Sequence, residues 1–592
     1  MEKLSANIDL IILEKENFDK FLFENQWLDK NHFREICLRY RFPEKNITVI
    51  VENYYIDVAY RDIYYHYWAR FHFEWPRHCK RIFLFQNAHL SGEFYDRKYR
   101  DSLNKDFLGT IVIRPAYSND TDEIETDHTF GRTLLDPYKM ICRDLEGNIS
   151  YPFKYLKTTE YRFHLLGNVY KIQAFPFSSQ DGVAMKCAET AIHLLCDFEA
   201  TSSALYAKVL PSEIQDKLKI RLSERILPSH GLYCNDISYL LREFGFSPMI
   251  YVGIDNRERA MNQYEEMIYH DFRIGLISEN LVSSEQNDIG QKEAWDEQHI
   301  TDLKKWFHYY VESALPVLAI TAPNQEVNKH ATLIIGHSKK KKSINDCRIY
   351  RLGKFPCMDT AEFYEDYIIQ DDNQIPYVEE KMDRFTSTGN YKLEAFIVPL
   401  ERHVFLEAAS AVSICDAFVA RENEMFANAI DNIIVECKIF LENTKDDENK
   451  KQYSNLIDAM TISEDNPITI RYYLVNCADY KQYRIATGDS LSDKRFYADI
   501  PMPKSAWIAE ISTYRCYEMG YAFAELVLDA TASNQSKANS LLLLRVAQLG
   551  VYRLPNETYN DLRMKMVEHT AYTDLTGIFT LFSNFQTNDY EN

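Results

Sequence analysis

Ser179-Gln180-Asp181-Gly182-Val183-Ala184-Met185-Lys186-Cys187-Ala188-Glu189-Thr190-Ala191 is a glycine-bearing loop that runs into an apolar helix with a cysteine at the join. From Ala188 the small and apolar residues recur at Ala188, Ala191, Ile192 and Leu195, the spacing of a helix that buries one face. Cys187 then falls in the first turn. Unpaired backbone N–H groups and the positive end of the helix dipole favour a negatively charged sulfur there, and Lys186 adds a neighbouring positive charge. Cys187 therefore reads as a nucleophile. Gln180, seven residues upstream, is placed to donate its side-chain amide to the oxyanion formed when a thiolate attacks a carbonyl.

A nucleophilic cysteine needs a base. Ala314-Leu315-Pro316-Val317-Leu318-Ala319-Ile320 and Ala331-Thr332-Leu333-Ile334-Ile335-Gly336 read as buried strands, and His330 opens the second. Tyr367-Ile368-Ile369-Gln370-Asp371-Asp372-Asn373 reads as a short strand ending in carboxylates. Asp371, or Asp372 as the alternative because strand register decides which one points inward, is expected to orient the imidazole.

Glutamine, cysteine on a helix, then histidine and aspartate on successive strands resembles the papain-like cysteine peptidase superfamily. The similarity is greatest to the soluble relatives of the bacteriocin-processing double-glycine leader peptidases. Ser229-His230-Gly231-Leu232, followed by Ile237, Leu240, Leu241 and Gly245, looks like that family's second helix, and Leu315-Pro316-Val317-Leu318 is similar to the strand before its histidine. The resemblance runs from about Lys171 to Tyr377. Two features depart from it: Ala188 stands where the family usually has glycine, and the Gln180–Cys187 spacing is one residue longer than the common pattern. Should Gln180 not serve, the oxyanion role passes to Gln173 or to backbone amides alone.

The resemblance implies an α+β chain: a papain-like domain at 166–385, flanked by an aromatic-rich N-terminal α+β domain at 1–165 and a C-terminal α+β recognition or assembly domain at 386–592. It also implies a cysteine peptidase cleaving a peptide or isopeptide bond in a protein partner through Cys187, His330, Asp371 and Gln180, with neither cofactor nor metal. Transglutaminases, deamidases and arylamine acyltransferases share the order of residues, so acyl transfer is the alternative reaction. A catalytically degenerate scaffold subunit of a multi-protein bacterial system is the alternative of another class, since nearly two-thirds of the chain lies outside the resemblance.

Bulk properties narrow the partners. At 592 residues the chain is long enough for several cores. It carries 67 Lys and Arg against 88 Asp and Glu, a net charge of −21, which disfavours nucleic acid and anionic membranes. No apolar run approaches the roughly 18 residues needed to span a bilayer, and no phosphate-binding glycine motif occurs. Twelve scattered cysteines without metal-ligand spacing, and no opening apolar segment, lead to the expectation of a cytoplasmic protein.

Outside the central segment, Ile47–Tyr55, Arg81–Phe85 and Gly109–Pro115 read as strands. Tyr60, Tyr64, Tyr67, Trp68 and Phe71 fall at helical spacing and read as packed core before ligand platform. Arg114 and Arg132 read as structural ion pairs before anion ligands. His193, Cys196 and His337 read as core residues, and Lys339–Lys342 as a solvated loop. Ser283–Gln298 reads as a polar surface loop, followed by a helix over Gln298–Ser313. Leu406–Phe418 and Asn428–Leu441 read as helices, separated by a charged break at Asn443–Lys451 from strands at Ile468–Val475, Trp507–Ile511, Ala522–Leu528 and Leu541–Val546.

Overall fold

The computed structural model describes residues 2–72, 74–117, 126–143, 147–221, 229, 231–252, 302–323, 329–382, 391–488, 491–532, 540–547, 549–552, 563–566 and 578–585. The fold is mixed α+β, with three large sheets among the described residues whose strand pairs are antiparallel except for one. The polar stretch 283–298, His230 and most of the acidic segment 120–127 lie outside the described residues.

The N-terminal sheet has the order Glu2–Ser5, Ile8–Leu13, Ile47–Tyr55, Cys79–Gln86, Phe107–Tyr117, Thr126–Phe130, with Leu134–Leu135 also on the Phe107–Tyr117 strand. Its central strands are apolar on both faces, so the period-2 alternation divides them between two cores. Val49, Val51, Ile82, Leu84, Ile111 and Ile113 pack into one core, while Ile50, Phe83, Phe85 and Phe107 pack against the Thr159–Leu165/Asn168–Ala174 hairpin.

The central sheet runs Phe246–Val252, Tyr391–Glu401, Val317–Pro323, His330–His337, Asp366–Gln370, Val378–Lys381. One face, with Leu318, Ile320, Leu333, Ile335 and Ile368, joins the same core as the N-terminal Val49–Ile113 set and the Cys187–Ser202 helix. That helix contributes Ala188, Ala191, Ile192 and Leu195, the stripe read from the sequence, and burying each large side chain is worth about 1.5–3 kcal/mol. The other face, with Val317, Ile334, Tyr367 and Phe396, meets the helix over 302–312 and the C-terminal sheet. Gly336 is required where the His330 strand meets Tyr155–Leu156: a Cβ there would lie 2.1 Å from the Tyr155 carbonyl oxygen.

The C-terminal sheet orders Ile349–Leu352, Phe355–Asp359, Ile468–Asn476, Ser505–Thr513, Ala524–Asp529, Leu541–Val546, Leu549–Tyr552, Arg563–Met566. Its one parallel pair joins Phe355–Asp359 to Ile468–Asn476. Strands therefore cross the sequence boundary at 385 in both directions: residues 349–359 serve the C-terminal sheet, and Tyr391–Glu401 lies inside the central one.

The charged stretch at 443–451 is mostly helix, not break. Asp446 caps the Asp447–Met460 helix by accepting from the Glu448 N–H, and Asp447 and Glu448 complement the dipole of its first turn. The Lys339–Lys342 loop is anchored by ion pairs of Lys340 with Glu379, Lys341 with Glu518 and Lys342 with Glu365.

Candidate active site

Cys187 opens the Cys187–Ser202 helix and is half-buried. Lys186 is the N-cap in extended conformation and provides no side-chain cap. The loop before it is held from several sides. Asp181 is buried, and its Oδ1 accepts from the N–H groups of Val183, Ala184 and Met185 at 3.0, 2.7 and 2.8 Å. Gly182 makes the turn at φ +73°, in the left-handed region. Arg114 donates from Nη2 to the Ser179 carbonyl at 2.6 Å and lies 3.5 Å from Asp181 Oδ2. Gln215 and the Ser229 N–H donate to the carbonyls of Ala184 and Val183.

The N-terminal aromatic cluster supports the same loop. Tyr60, Tyr64 and Trp68 are buried, Trp68 stacks on Trp75 at 4.2 Å, and the group packs against Ala184 and Met185. It is a packed core whose role is to back the cysteine loop. Arg132 is paired with Asp197 on the Cys187 helix at 2.8 Å, so both arginines form structural ion pairs.

His330 is the first residue of its strand, and its Nε2–H donates to Asp371 Oδ1 at 2.9 Å. With Nε2 engaged by Asp371, Cys187 is the other side chain whose hydrogen bonding acts on the pKa of the ring. Burial lowers the pKa of His330, but the hydrogen bonds to Asp371 and Cys187, with the charges of Asp371 and Asp372, outweigh it and raise it to about 10. For Asp371 burial acts upward, and the His330 bond and the donors around it prevail, holding the carboxyl below its usual range.

Asp371 lies just beyond the strand, which ends at Gln370, and opens a turn. Its Oδ1 also accepts from the Asn373 N–H at 3.0 Å, and its Oδ2 from Gln374 Nε2 at 3.0 Å. Asp372 is 7% exposed, its Oδ1 is 3.6 Å from His330 Nε2, and neither oxygen has a hydrogen-bond partner among the described residues. Burial pushes its pKa up to about 7, the nearby His330 charge opposing and Asp371 adding to the rise.

Gln180 enters the same site from the cysteine loop and donates to Asn373 Oδ1 at 2.7 Å, while Asn373 Nδ2 lies 3.5 Å from His330 Nε2. Cys187, His330, Asp371, Asp372 and Gln180 thus come together from a helix, a strand, a turn and a loop. Gln173, the substitute donor, lies instead in the Asn168–Ala174 strand opposite Glu160. Asn373 and Gln374 were not singled out from the sequence, although an aspartate that binds the N–H two residues on is the signature of an Asx turn. Buried Glu189, two residues after Cys187, accepts from the Ser229 hydroxyl, which ties the helix start to the segment before the Cys234–Glu243 helix.

His193, Cys196 and His337 belong to the scaffold. His193 Nδ1 donates to the Val209 carbonyl at 3.0 Å, Cys196 is buried in the core, and His337 pairs with Glu312 at 2.8 Å. No helix among the described residues is long and apolar enough to cross a membrane. Comparison of the chain with protein-family models, curated proteins and solved structures finds no match.

Proposed function

We propose that the chain is a papain-like thiol hydrolase that cleaves a peptide or isopeptide bond in a protein partner. The observation that carries this reading is one imidazole, His330, bonded through Nε2 to Asp371 at 2.9 Å, with Cys187, which opens a helix, as the other side chain whose hydrogen bonding raises its pKa. Cys187 attacks the carbonyl carbon, forming a C–S bond as the carbonyl electrons move to oxygen. Gln180 and first-turn N–H groups stabilise that oxyanion. Collapse of the intermediate breaks the C–N bond, and the protonated His330 gives its Nδ1 proton to the leaving amine. His330, now neutral, takes a proton from water as the water oxygen attacks the thioester. The thiolate leaves, the acid is released, and the starting charges are restored.

Asp371 holds the ring in the tautomer this cycle needs and stabilises its cationic form. All twelve cysteines are free thiols, which supports operation in a reducing, cytoplasmic setting. The test is digestion of a peptide library in ¹⁸O-water with mass spectrometry. New C-termini carrying one ¹⁸O, produced by wild type and absent from Cys187→Ala, are expected. Conjugated products, or glutamines converted to glutamates without chain cleavage, would replace hydrolysis by acyl transfer or deamidation. Identical product profiles from wild type and Cys187→Ala would overturn the thiol mechanism.

A further inference from the structure

We propose that His330, Asp371 and Asp372 form a binding site for Zn²⁺ that shares its histidine with the proposed catalytic cycle and arrests it when filled. The ligand atoms of the three side chains all lie within 4.8 Å of one another. Donors about 2.1 Å from a tetrahedral zinc ion stand about 3.4 Å apart. The separations from His330 Nε2, 2.9 Å to Asp371 Oδ1 and 3.6 Å to Asp372 Oδ1, bracket that value. One imidazole with two carboxylates, leaving a fourth position for water, is a donor set suited to zinc.

The second, independent observation is Asp372 itself. It is 93% buried, its carboxylate is directed at His330, and both oxygens lack a hydrogen-bond partner among the described residues. A buried carboxylate without donors is costly, and the fold keeps this one beside a second carboxylate of the adjacent residue. The proposed hydrolysis requires only Asp371 on the imidazole, so it leaves Asp372 unexplained. A dication between Asp371, Asp372 and a neutral imidazole balances the two negative charges and fills the empty acceptor sites of Asp372. Binding forms the Zn–N and two Zn–O bonds and releases the proton between Nε2 and Asp371.

The ion would sit on the Nε2 side of the ring, where both carboxylates lie. Zinc would withdraw the orienting carboxylate from Nε2 and occupy that nitrogen's lone pair, so the neutral ring keeps its proton on Nδ1 and has no lone pair with which to take a proton from the attacking water. The inhibition rests on the proposed hydrolysis, but the binding does not, and the two are read separately.

The full-length chain, stripped of metal, is titrated with zinc chloride against a chromophoric chelator and, separately, with cobalt chloride. One zinc per chain is expected, retained in Cys187→Ala and weakened by more than about tenfold in Asp372→Asn, since even removing a partner one shell outside a metal costs that much. The cobalt-loaded wild-type protein should show no sulfur-to-cobalt charge-transfer band, a result that needs no variant to fold. Absence of saturable zinc binding, unchanged affinity in a folded Asp372→Asn protein, or a sulfur-to-cobalt band would each overturn the site. If zinc binds as expected but does not slow a thiol-dependent hydrolysis, the inhibitory role fails. If no such hydrolysis exists, the zinc titration still decides the site.

Discussion

At the scale of single residues, the two adjacent carboxylates divide sharply. Asp371 accepts from His330, Asn373 and Gln374, whereas Asp372 is buried beside the ring without donors. Asp371→Asn is therefore expected to lower kcat by up to about 10⁴-fold, the loss seen when an orienting carboxylate is replaced. Asp372→Asn should lose less, a ranking that steady-state kinetics on a cleaved peptide would reverse if Asp372 were the orienting group. Gln180→Ala should cost about 10²- to 10³-fold in kcat, the effect of removing one oxyanion donor. Unchanged single-turnover chemistry in that variant would move the role to backbone amides. The placing of Cys187 at a helix start and of His330 at a strand start was legible in the sequence, because such starts leave local patterns. The choice between the carboxylates was not. It depends on the strand stopping at Gln370 so that Asp371 opens a turn, and strand ends are set by tertiary pairing.

At the scale of elements, the loop before Cys187 owes its shape to groups distant in sequence. Asp181 gathers three N–H groups, Arg114 reaches it from the N-terminal sheet, and the Trp68 cluster packs beneath. Asp181→Ala removes that acceptor and leaves Arg114 without its carboxylate, so a stability loss of about 1–3 kcal/mol is expected in denaturant unfolding. Turnover should fall with it while far-ultraviolet circular dichroism is retained; full activity would show that the loop keeps its shape without Asp181. The Ile47–Tyr55 and Leu541–Val546 strands have the bounds read from the sequence, because a short apolar run opens each of them. The helix at Asp447–Met460 escaped that reading because a dense run of charges resembles a linker, although Asp446 and the acids after it are a helix-start signal.

At the scale of the whole molecule, the proposed active-site strand is tied to the C-terminal sheet. His337, at the far end of the strand that His330 opens, pairs with Glu312, and Arg471 donates to Glu312 and Glu510. Arg484 continues the network to Glu510 and Glu525. Arg471→Met leaves buried Glu312 to His337 and buried Glu510 to Arg484, each without its second cationic partner, and is expected to destabilise by about 3–5 kcal/mol. For Glu312 burial acts to raise the pKa, but Arg471 and His337 prevail and hold it well below its usual value. A depressed carboxyl contributes stability that is complete above its unfolded pKa of about 4.3 and is lost as pH falls towards the folded value. Stability should therefore drop with acid below about pH 4.3, and Glu312→Gln should flatten that slope; equal acid slopes in both proteins would remove Glu312 from the account. These ties were invisible in the sequence. Nothing local marks Phe355–Asp359 as the partner of Ile468–Asn476, or Tyr391–Glu401 as an inner strand of the central sheet. Long-range pairing is decided by which faces remain to be buried.

The central claim is that His330 activates Cys187, and site-resolved alkylation measures it most directly. Eight of the twelve cysteines are buried, leaving Cys142, Cys187, Cys234 and Cys347 partly accessible. Burial pushes the thiol of Cys142 up and that of Cys347 to about 11, which slows both. Under brief exposure to limiting iodoacetamide, with each cysteine quantified by mass spectrometry, Cys187 should react first in wild type and lose that lead in His330→Ala. A Cys187 that reacts no faster than the other accessible cysteines, or just as fast without His330, would contradict the account.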